Sequence, residues 1–483
     1  METPTPTRKP RRGDVLEGTI LRYERKGVSL GDSGEYTFTI RDGVPGDRWS
    51  FTVHKRRRAK IEGRRLKLLE GSPQRVPARC SHADDCGGCS FQTCDYQLQL
   101  DQKRVLVQEA FVAAELEELP EVEPVLGCEN PWAYRNKMEF SFGNRRWVAP
   151  HEPMGVVADF ALGLHAPGLY LKVIDLTECS IVFDRGEAIF KTARALAREQ
   201  DLSLWDIRDH HGFLRHLVLR EGTNTGQIMV SVVTSEEAPE IFQPYADALL
   251  AAHPEITTIV QAINSGAAAV ALGEYERVVH GEGWIEEELL GLHFRISAGS
   301  FFQTNTLQAE HLFEIVREEA ALTGDEVVYD LYSGAGTIAL MIASRVREVL
   351  AFEQVPAAVA DAHRNAERNS IRNVRFFEGD VLTELDATLA PETQLPRPDV
   401  AIVDPPRAGL HPKVPGKLLE LAAQRIVYIS CNIYNGAQDI AKLVAGGYRI
   451  ERIRPVDMFP HTPHVECVVT LERDDSQTSV TID

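Results

Sequence analysis

The stretch Val327–Thr337 reads VVYDLYSGAGT, and it decides the fold of the C-terminal part of the chain. An apolar run typical of a strand reaches Asp330, and Gly334 and Gly336 follow before a helical pattern begins. Glycine lets the backbone turn sharply and lets a ligand approach it closely. The stretch lacks the full G-x-G-x-x-G spacing and a P-loop lysine, so it does not favour a dinucleotide or a triphosphate as the ligand.

Apolar strand patterns alternate with helical patterns from about residue 306 onward, which predicts a doubly wound parallel sheet. These strand patterns read EVVYDLY, EVLAFE, VRFFEGD, VAIVDPP, RIVYIS and VECVVTLE. Glu353 ends the second strand, where a carboxylate can accept both hydroxyls of a ribose. Asp380 follows the third strand, placed to contact an adenine amino group. A glycine loop followed by two acidic strand ends is the pattern of an S-adenosylmethionine site.

Two further strand ends carry reactive groups. Asp404-Pro-Pro-Arg407 combines a carboxylate with two prolines that fix the backbone. Methylases of exocyclic amines commonly have an aromatic residue after the two prolines, so the arginine here argues against that class of substrate. Cys431 follows a strand pattern and is a candidate nucleophile, although a lone cysteine is more often an inert apolar residue. Backbone N–H groups from Asn432 onward could help to ionise its thiol.

The stretch Asp457–Cys467 reads DMFPHTPHVEC and leads into the last predicted strand. Its two histidines and one glutamate could form a metal site, but the spacing does not match the helical zinc motif. A general base at Glu466 fits better, because a partly buried carboxylate at a strand start has a raised pKa.

Charge divides the chain into a basic head and an acidic body. Residues 1–79 contain 19 Lys and Arg and 10 Asp and Glu, whereas the whole chain has a net charge of −19. Short alternating patterns over 13–75 predict a small β-barrel, and basic residues in 54–60 and 64–67 fall on adjacent strands. We interpret this face as a nucleic-acid surface; the alternative is an edge strand protected by charge.

A cysteine-rich loop follows the predicted barrel. Cys80, Cys86 and Cys89 are spaced C-x5-C-x2-C, and three thiolates need a fourth ligand for a closed metal site. Cys94 is the nearest further cysteine in the sequence. Helical spacing covers 95–118, and the basic, aromatic stretch 131–146 suits either RNA contact or an ordinary half-buried strand.

These motifs, together with Ser300–Asn305 (SFFQTN), closely resemble those of the RNA uridine-5-methyltransferase family over nearly the whole chain. The resemblance implies that Cys431 adds to carbon 6 of uracil, that carbon 5 then takes the methyl group, and that Glu466 removes the carbon 5 proton. The target base would be flipped out of its stack. By similarity, the methyl donor S-adenosylmethionine would contact Gln303, Tyr332, Thr337, Glu353, Asp380 and Asp404.

The cysteine spacing resembles the 4Fe–4S site of the family branch that modifies 23S ribosomal RNA, with Cys179 as the fourth ligand. A zinc site is the alternative. The barrel resembles the RNA-binding TRAM domain. We therefore expect a TRAM barrel over 13–75, a central α+β iron–sulfur domain over 76–296 and a methyltransferase domain over 297–475, with tails at 1–12 and 476–483.

The expected activity is methylation of a uridine in 23S ribosomal RNA, with a transfer RNA enzyme as the second candidate. A non-catalytic iron–sulfur RNA-binding protein and a radical methylthiolating enzyme are the rivals from other classes; the C-x5-C-x2-C spacing disfavours the latter. Composition is that of an ordinary globular protein, and no apolar run reaches the ~20 residues of a membrane helix. We expect a cytoplasmic monomer.

Overall fold

The computed structural model describes residues 9–149 and 152–474. Of the two predicted tails, residues 1–8 and 476–483 lie outside this range.

The N-terminal unit is a closed five-stranded barrel, as predicted. Its strands are β1 (Val15–Tyr23), β2 (Val28–Asp32), β3 (Thr37–Arg41), β4 (Arg48–Arg57) and β5 (Lys60–Glu70), in the order β1-β2-β3-β5-β4. A small apolar core fills the barrel and consists of Ile20, Phe38, Ile40, Trp49, Phe51, Val53 and Ile61. Only seven fully buried apolar side chains make up this core, so the barrel also relies on its packing against the rest of the chain.

Two helices connect the barrel to the rest of the chain. The cysteine-rich loop contains the short α1 (Ala83–Cys86), and α2 (Tyr96–Ala113) follows it. Helix α2 begins where the Asp95 side chain accepts a hydrogen bond from the backbone of Gln97 at 3.0 Å. It ends at Ala113, earlier than the helical spacing over 95–118 predicts.

The central region is built on a seven-stranded, mostly antiparallel sheet. Its elements are β6 (Lys137–Gly143), β7 (Ala161–Ala166), β8 (Leu169–Asp175), α3 (Asp184–Glu199), β9 (Leu214–Glu221), β10 (Ile228–Thr234), α4 (Pro239–Ala252), β11 (Thr258–Ile263) and β12 (Tyr275–His280). The strand order is β12-β11-β10-β9-β6-β7-β8. Strands β9 and β10 form the predicted antiparallel pair. The hairpin of β13 (Trp284–Leu289) and β14 (Leu292–Ser297) leads into the C-terminal region.

The C-terminal region is the predicted doubly wound α/β sheet. Its elements are α5 (Thr306–Ala320), β15 (Val327–Leu331), α6 (Thr337–Ile342), β16 (Glu348–Glu353), α7 (Pro356–Arg368), β17 (Val374–Glu378), α8 (Val381–Leu389), β18 (Val400–Val403), α9 (Val414–Leu421), β19 (Arg425–Ser430), α10 (Ile433–Ala445), β20 (Tyr448–Val456) and β21 (Glu466–Arg473). The strand order is β17-β16-β15-β18-β19-β21-β20. From β15, the chain adds β16 and β17 on one side of the sheet and then β18 and β19 on the other. Open α/β sheets bind ligands in the crevice at the point where the strand order reverses in this way.

The sheet is not wholly parallel. Strands β15 to β19 are parallel, whereas β21 runs antiparallel to both β19 and β20. Strand β20 was not among the predicted strands, because its charged and apolar residues (YRIERIRPV) do not form a buried run. Helix α2 packs into the same core as this sheet through Leu100, Val107, Ala110 and Phe111.

Candidate active site

The carboxyl ends of the parallel strands meet at one edge of the C-terminal sheet. Leu331 pairs with Phe352 on one side and with Val403 on the other. Val403 pairs in turn with Tyr428. The residues that follow these positions therefore share one edge, which brings together the glycine loop and the predicted acidic and cysteine residues.

The glycine loop turns tightly between β15 and α6. Gly334 and Gly336 have φ values of 54° and 80°, in the left-handed region that favours glycine. A Cβ atom on Gly336 would meet the Phe376 ring at 3.0 Å. Tyr332 also has a positive φ, 66°, although it is not a glycine. Strained backbone of this kind is common beside ligand sites.

Two acidic residues lie next to this loop. Glu353 is buried, and its two carboxylate oxygens accept the N–H groups of Gly334 at 3.0 Å and Val355 at 2.8 Å. Asp380 accepts the N–H of Thr383 at 3.2 Å and caps α8. The Asp380 carboxylate is close enough to Tyr332 to raise the pKa of the phenol, after burial, to about 12.

Gln303 and Thr337 lie at the starts of two helices. The backbone oxygen of Gln303 accepts a hydrogen bond from Asn136 at 3.0 Å, and Asn305 caps α5 two residues later. Thr337 is the first residue of α6, directly after the glycine loop.

Cys431 and Glu466 lie side by side at the end of an antiparallel strand pair. Ser430, the last residue of β19, pairs with Cys467 in β21. Cys431 follows Ser430 and Glu466 precedes Cys467, so the two predicted reactive residues lie opposite each other just beyond this pair. Burial, and after it the neighbouring carboxyls of Glu466 and Asp404, raise the pKa of the Cys431 thiol to about 11. The positive charge of Arg407 and the backbone N–H of Cys431 itself lower the pKa of this thiol.

Three carboxyl groups of this site titrate far above their ordinary range. Burial raises the pKa of Asp330 to about 7, with a contribution from the nearby Asp404. Loss of solvation raises the pKa of Asp404 itself to about 7. Burial and the proximity of Asp404 raise the pKa of Glu466 to about 8. A carboxyl group with a pKa near neutral is suited to proton transfer.

Arg407 is a site residue whose position could not be predicted from the sequence. Its positive charge lowers the pKa of both Cys431 and Glu466. Its backbone oxygen accepts hydrogen bonds from Asn432 at 3.0 Å and Asn435 at 2.9 Å. The first turn of α10 therefore fixes the arginine beside the thiol. The only sequence signal was its place in the Asp404-Pro-Pro-Arg407 corner.

The two histidines of the 457–467 stretch make different contacts. The His461 ring stacks on Trp132 with 3.8 Å between centroids, and its backbone N–H donates to Gln99. His464 accepts a hydrogen bond from Arg407. No group of three or more His, Cys, Asp or Glu side chains in residues 9–149 and 152–474 is arranged to hold a metal ion.

The cysteines of the predicted metal site gather around the loop that contains α1. The charge of Cys179 contributes to raising the pKa of the Cys80, Cys86 and Cys89 thiols, after burial. Cys94 lies elsewhere, in a small core with Tyr23, Val44, Phe91 and Leu98.

Hydrogen bonds tie this loop to the segment just before Cys179. Ser81 donates its N–H to Glu178 at 2.6 Å, and Thr177 donates its N–H to the His82 ring at 3.0 Å. Four thiols from two distant parts of the sequence are therefore held in one place.

The basic residues predicted for the barrel do fall on paired strands. Arg57 pairs with Lys60 and Thr52 with Arg64 across β4 and β5. Part of this charge is neutralised, because Arg65 forms ion pairs with Asp42 and Asp84. The tip of the hairpin at Arg57, Arg58 and Lys60 is exposed.

Comparison with known proteins identifies the family. The family model described as tRNA (uracil-5-)-methyltransferase matches residues 222–474, just over half of the chain. The chain belongs to the uracil-5-methyltransferase family. An RNA methyltransferase of Porphyromonas gingivalis, not characterised further, is 41% identical over 89% of this chain and 94% of its own length. One from Chlorobaculum tepidum is 38% identical over 96% of this chain and 97% of its own.

A solved structure of the same family supports the fold. The tRNA (uracil-54, C5)-methyltransferase of Pyrococcus abyssi, in complex with S-adenosyl-L-homocysteine, is 29% identical with a TM-score of 0.72. It covers 94% of this chain and 100% of its own. The predicted enzyme class, an RNA uracil-5-methyltransferase, is therefore confirmed. None of the described helices has the length and apolar character to span a bilayer.

Proposed function

We propose that this enzyme transfers a methyl group from S-adenosylmethionine to carbon 5 of a uridine in 23S ribosomal RNA. The observation that carries the proposal is the placement of Cys431 directly beside Glu466, at the sheet edge that also holds the glycine loop. A nucleophile, a carboxyl group with a pKa of about 8 and a ligand loop are the parts that carbon 5 methylation of uracil needs.

The residues at the glycine loop fit a methyl donor. The buried Asp330 Oδ1 and Ser333 Oγ lack a hydrogen-bond partner among the described residues, so both atoms are available to hydrogen-bond a ligand. The related P. abyssi structure contains S-adenosyl-L-homocysteine. When bound, the donor supplies an electrophilic methyl group on a sulfonium. The residues proposed to hold it are Gln303, Tyr332, Thr337, Glu353, Asp380 and Asp404.

The proposed reaction uses a covalent adduct with the RNA. The Cys431 thiolate adds to carbon 6 of uracil, and the electron pair moves to give an enolate. Carbon 5 then takes the methyl group from the sulfonium, and S-adenosyl-L-homocysteine is the leaving group. Glu466 takes the carbon 5 proton, so that the bond between carbon 6 and the Cys431 sulfur breaks and the thiolate is released. Arg407 favours the charged forms of both residues. A base must leave its stack to reach a half-buried thiol.

Two candidate RNA substrates follow from different observations. The barrel and the four gathered cysteines resemble the family branch that acts on 23S ribosomal RNA, so we give it preference. The structural likeness to a tRNA (uracil-54, C5)-methyltransferase, which extends over 94% of this chain, favours transfer RNA as the second candidate.

We also propose that Cys80, Cys86, Cys89 and Cys179 hold a 4Fe–4S cluster. The support is the C-x5-C-x2-C spacing, together with the charge of the distant Cys179, which acts on each of the other three thiols. A single zinc ion held by the same four thiolates is the alternative. Absorbance near 400 nm in anaerobically purified protein supports iron, whereas a colourless protein with one zinc excludes it.

The decisive experiment compares the wild type with Cys431→Ala in a strain that lacks the gene. Mapping 5-methyluridine in ribosomal and transfer RNA identifies the substrate. We expect Cys431→Ala to abolish methylation while RNA binding persists. Glu466→Gln should instead accumulate a protein–RNA adduct that survives denaturing electrophoresis, because the carbon 5 proton stays in place. Full activity of Cys431→Ala would exclude the covalent mechanism.

A further inference from the structure

The turn between β1 and β2 of the barrel lies against the segment that leads to Glu466. Gly27 of this turn is buried. A Cβ atom at Gly27 would lie 2.5 Å from Ser90 Oγ and 3.3 Å from the Pro463 ring, so a larger residue would displace its neighbours. Pro463 stands three residues before Glu466. The turn is thereby seated beside one of the two proposed reactive groups.

The same turn also contacts the helix that follows Cys431. The Arg25 guanidinium lies over the Tyr434 ring, with 4.3 Å between the guanidinium carbon and the ring centroid. This cation–π contact holds the long arginine side chain in place. Tyr434 is in the first turn of α10, three residues after Cys431. The β1–β2 turn therefore meets both segments that carry the reactive groups.

Two cations of this turn have no carboxylate partner. Arg25 and Lys26 are exposed, and neither forms an ion pair with an acidic side chain among the described residues. Two carboxylates close to the turn, Glu24 and Glu109, are both paired with Arg22, at 3.7 and 2.8 Å. Exposed cations that the protein itself does not neutralise are available to bind an anion such as a phosphate.

The rest of the active-site edge is rich in carboxyl groups. Glu353, Asp380, Asp404 and Glu466 all lie along it, and the whole chain has a net charge of −19. Negative charge of this extent disfavours the approach of an RNA backbone. Arg407 is an exposed cation at this edge, and the β1–β2 turn brings two more to the same place.

The backbone of the turn is constrained. Lys26 has a φ of 73°, in the left-handed region that few residues other than glycine adopt. The turn is closed by hydrogen bonds from Gly27 N–H to the Glu24 oxygen at 3.2 Å and from Glu24 N–H to the Val28 oxygen at 2.8 Å. Strained backbone of this kind is common where side chains serve a ligand site.

This turn lies at the opposite end of the barrel from the basic tip of the β4–β5 hairpin. The tip at Arg57 lies beyond Thr52, which pairs with Val15 at the start of β1. The β1–β2 turn instead follows Tyr23, the last residue of β1. At about 3.3 Å per residue, the length of β1 separates the two groups of cations by roughly 26 Å. They can therefore be changed independently.

We propose that Arg25 and Lys26 bind the RNA phosphates that flank the target uridine, at the mouth of the active site. The inference rests on the proposed RNA function and makes the barrel a part of that mouth. A flipped base has lost its stacking, so contacts to the neighbouring backbone must fix its position. With Arg407, the turn supplies three cations around the entrance to Cys431.

The test compares two double variants of the full-length protein. Arg25→Gln with Lys26→Gln removes both charges of the turn. Arg58→Gln with Lys60→Gln is the matched control, because it removes two exposed cations from the barrel tip. Arg58 has a left-handed φ of 55°, so each variant also changes one residue of this conformation. Thermal melting checks that both proteins are folded.

RNA that covers the mouth should shield Cys431 from iodoacetamide. The probes are 23S ribosomal RNA and transfer RNA, each taken from a strain that lacks the gene. Each protein is titrated with RNA until binding is saturated, and mass spectrometry of the Cys431 peptide gives the alkylation rate with and without RNA. The ratio of the two rates cancels any effect on the thiol itself. We expect shielding of about tenfold in the wild type and the control, and about twofold or less in the turn variant.

The ring beneath Arg25 gives a second test. Tyr434→Leu removes the aromatic face and should lower the shielding, whereas Tyr434→Phe keeps the face and should retain the wild-type value. Equal shielding of Tyr434→Leu and the wild type would contradict the role given to Arg25.

Three results would overturn the proposal. The turn variant is shielded as well as the wild type, both double variants lose shielding equally, or neither RNA shields wild-type Cys431. The measurement needs no methyl transfer. A protein that RNA shields but that forms no 5-methyluridine would therefore refute the proposed reaction and leave this binding surface in place.

Discussion

The Arg407 guanidinium donates a hydrogen bond to Nδ1 of His464 at 3.1 Å, and this bond joins two loops that flank the reactive thiol. Arg407 follows β18, whereas His464 precedes β21 by two residues. Partial burial and the charge of Arg407 lower the pKa of His464 to about 4, so the imidazole is neutral and can accept. The hydrogen bond to His464 therefore holds the Arg407 guanidinium, whose charge lowers the pKa of Cys431.

We predict that His464→Ala slows the alkylation of Cys431 by iodoacetamide at pH 8. Without its acceptor, the Arg407 side chain spends less time near the thiol, so the thiol pKa rises and less thiolate is present. Mass spectrometry of the Cys431 peptide measures the rate apart from the other cysteines. His464→Gln, which keeps an acceptor, should restore most of the rate. Equal rates in all three proteins would contradict this role.

A site residue could be predicted from the sequence where the residues next to it form a recognisable pattern, and could not where its role depends on a residue far away in the sequence. The glycine loop, Glu353, Asp404 and Cys431 could be found because each follows a recognisable strand, and parallel strands bring such ends to one edge. Arg407 and His464 could not be paired, because they lie 57 positions apart and no local pattern links the two motifs that contain them. The 4Fe–4S cluster and the roles of the site residues stay predictions.

The fold shows the same limit. The barrel and the parallel strands follow from short-range patterns, whereas a register shift between Ile450 and Arg452 interrupts the alternation in β20, so its sequence does not show a regular strand pattern. The placement of α2 depends on a contact across 354 residues, the hydrogen bond from Lys103 Nζ to Asp457 Oδ1. No local signal distinguishes such a buried lysine from an exposed one.

Glu466→Gln should make the protein more stable at high pH. Burial raises the pKa of Glu466 from 4.5 to about 8, so the folded state binds its proton more tightly than the unfolded state. The contribution of this group to wild-type stability is therefore highest below pH 4.5 and falls as the pH rises toward 8. At about 1.4 kcal/mol per pKa unit, we expect an advantage of about 5 kcal/mol for the glutamine variant at pH 9.

Urea unfolding at pH 5 and pH 9 measures this difference. Near pH 5 the two proteins should have similar free energies of unfolding, since the wild-type side chain is then mostly neutral in the folded state. An advantage of the variant that is the same at both pH values would show that ionisation of Glu466 is not the cause.

Lys103→Ala should destabilise the protein strongly. The Lys103 and Asp457 side chains are both fully buried and joined at 2.5 Å, and Lys103 also donates to the backbone oxygen of Phe459 at 3.0 Å. Removing one partner leaves a buried charge uncompensated, which costs about 3–5 kcal/mol. Urea unfolding gives the free energy. The double variant Lys103→Met with Asp457→Leu should be destabilised less than Lys103→Ala, because no unpaired charge remains.

The exposed tip of the barrel should contribute to the salt dependence of RNA binding. Replacing Arg57, Arg58 and Lys60 with alanine removes three cations that extend from the β4–β5 turn. Each cation that no longer neutralises a phosphate lowers the slope of log K against log salt by about 0.7–0.9, so the slope should fall by about 2. Titrations of 23S ribosomal RNA between about 50 and 300 mM salt, where counterion release dominates the salt dependence, measure this slope.

The matched control replaces three cations that are already ion-paired, Lys191, Arg375 and Arg449, and its slope should stay at the wild-type value. If both triple variants lower the slope equally, net charge and not the barrel surface determines RNA affinity.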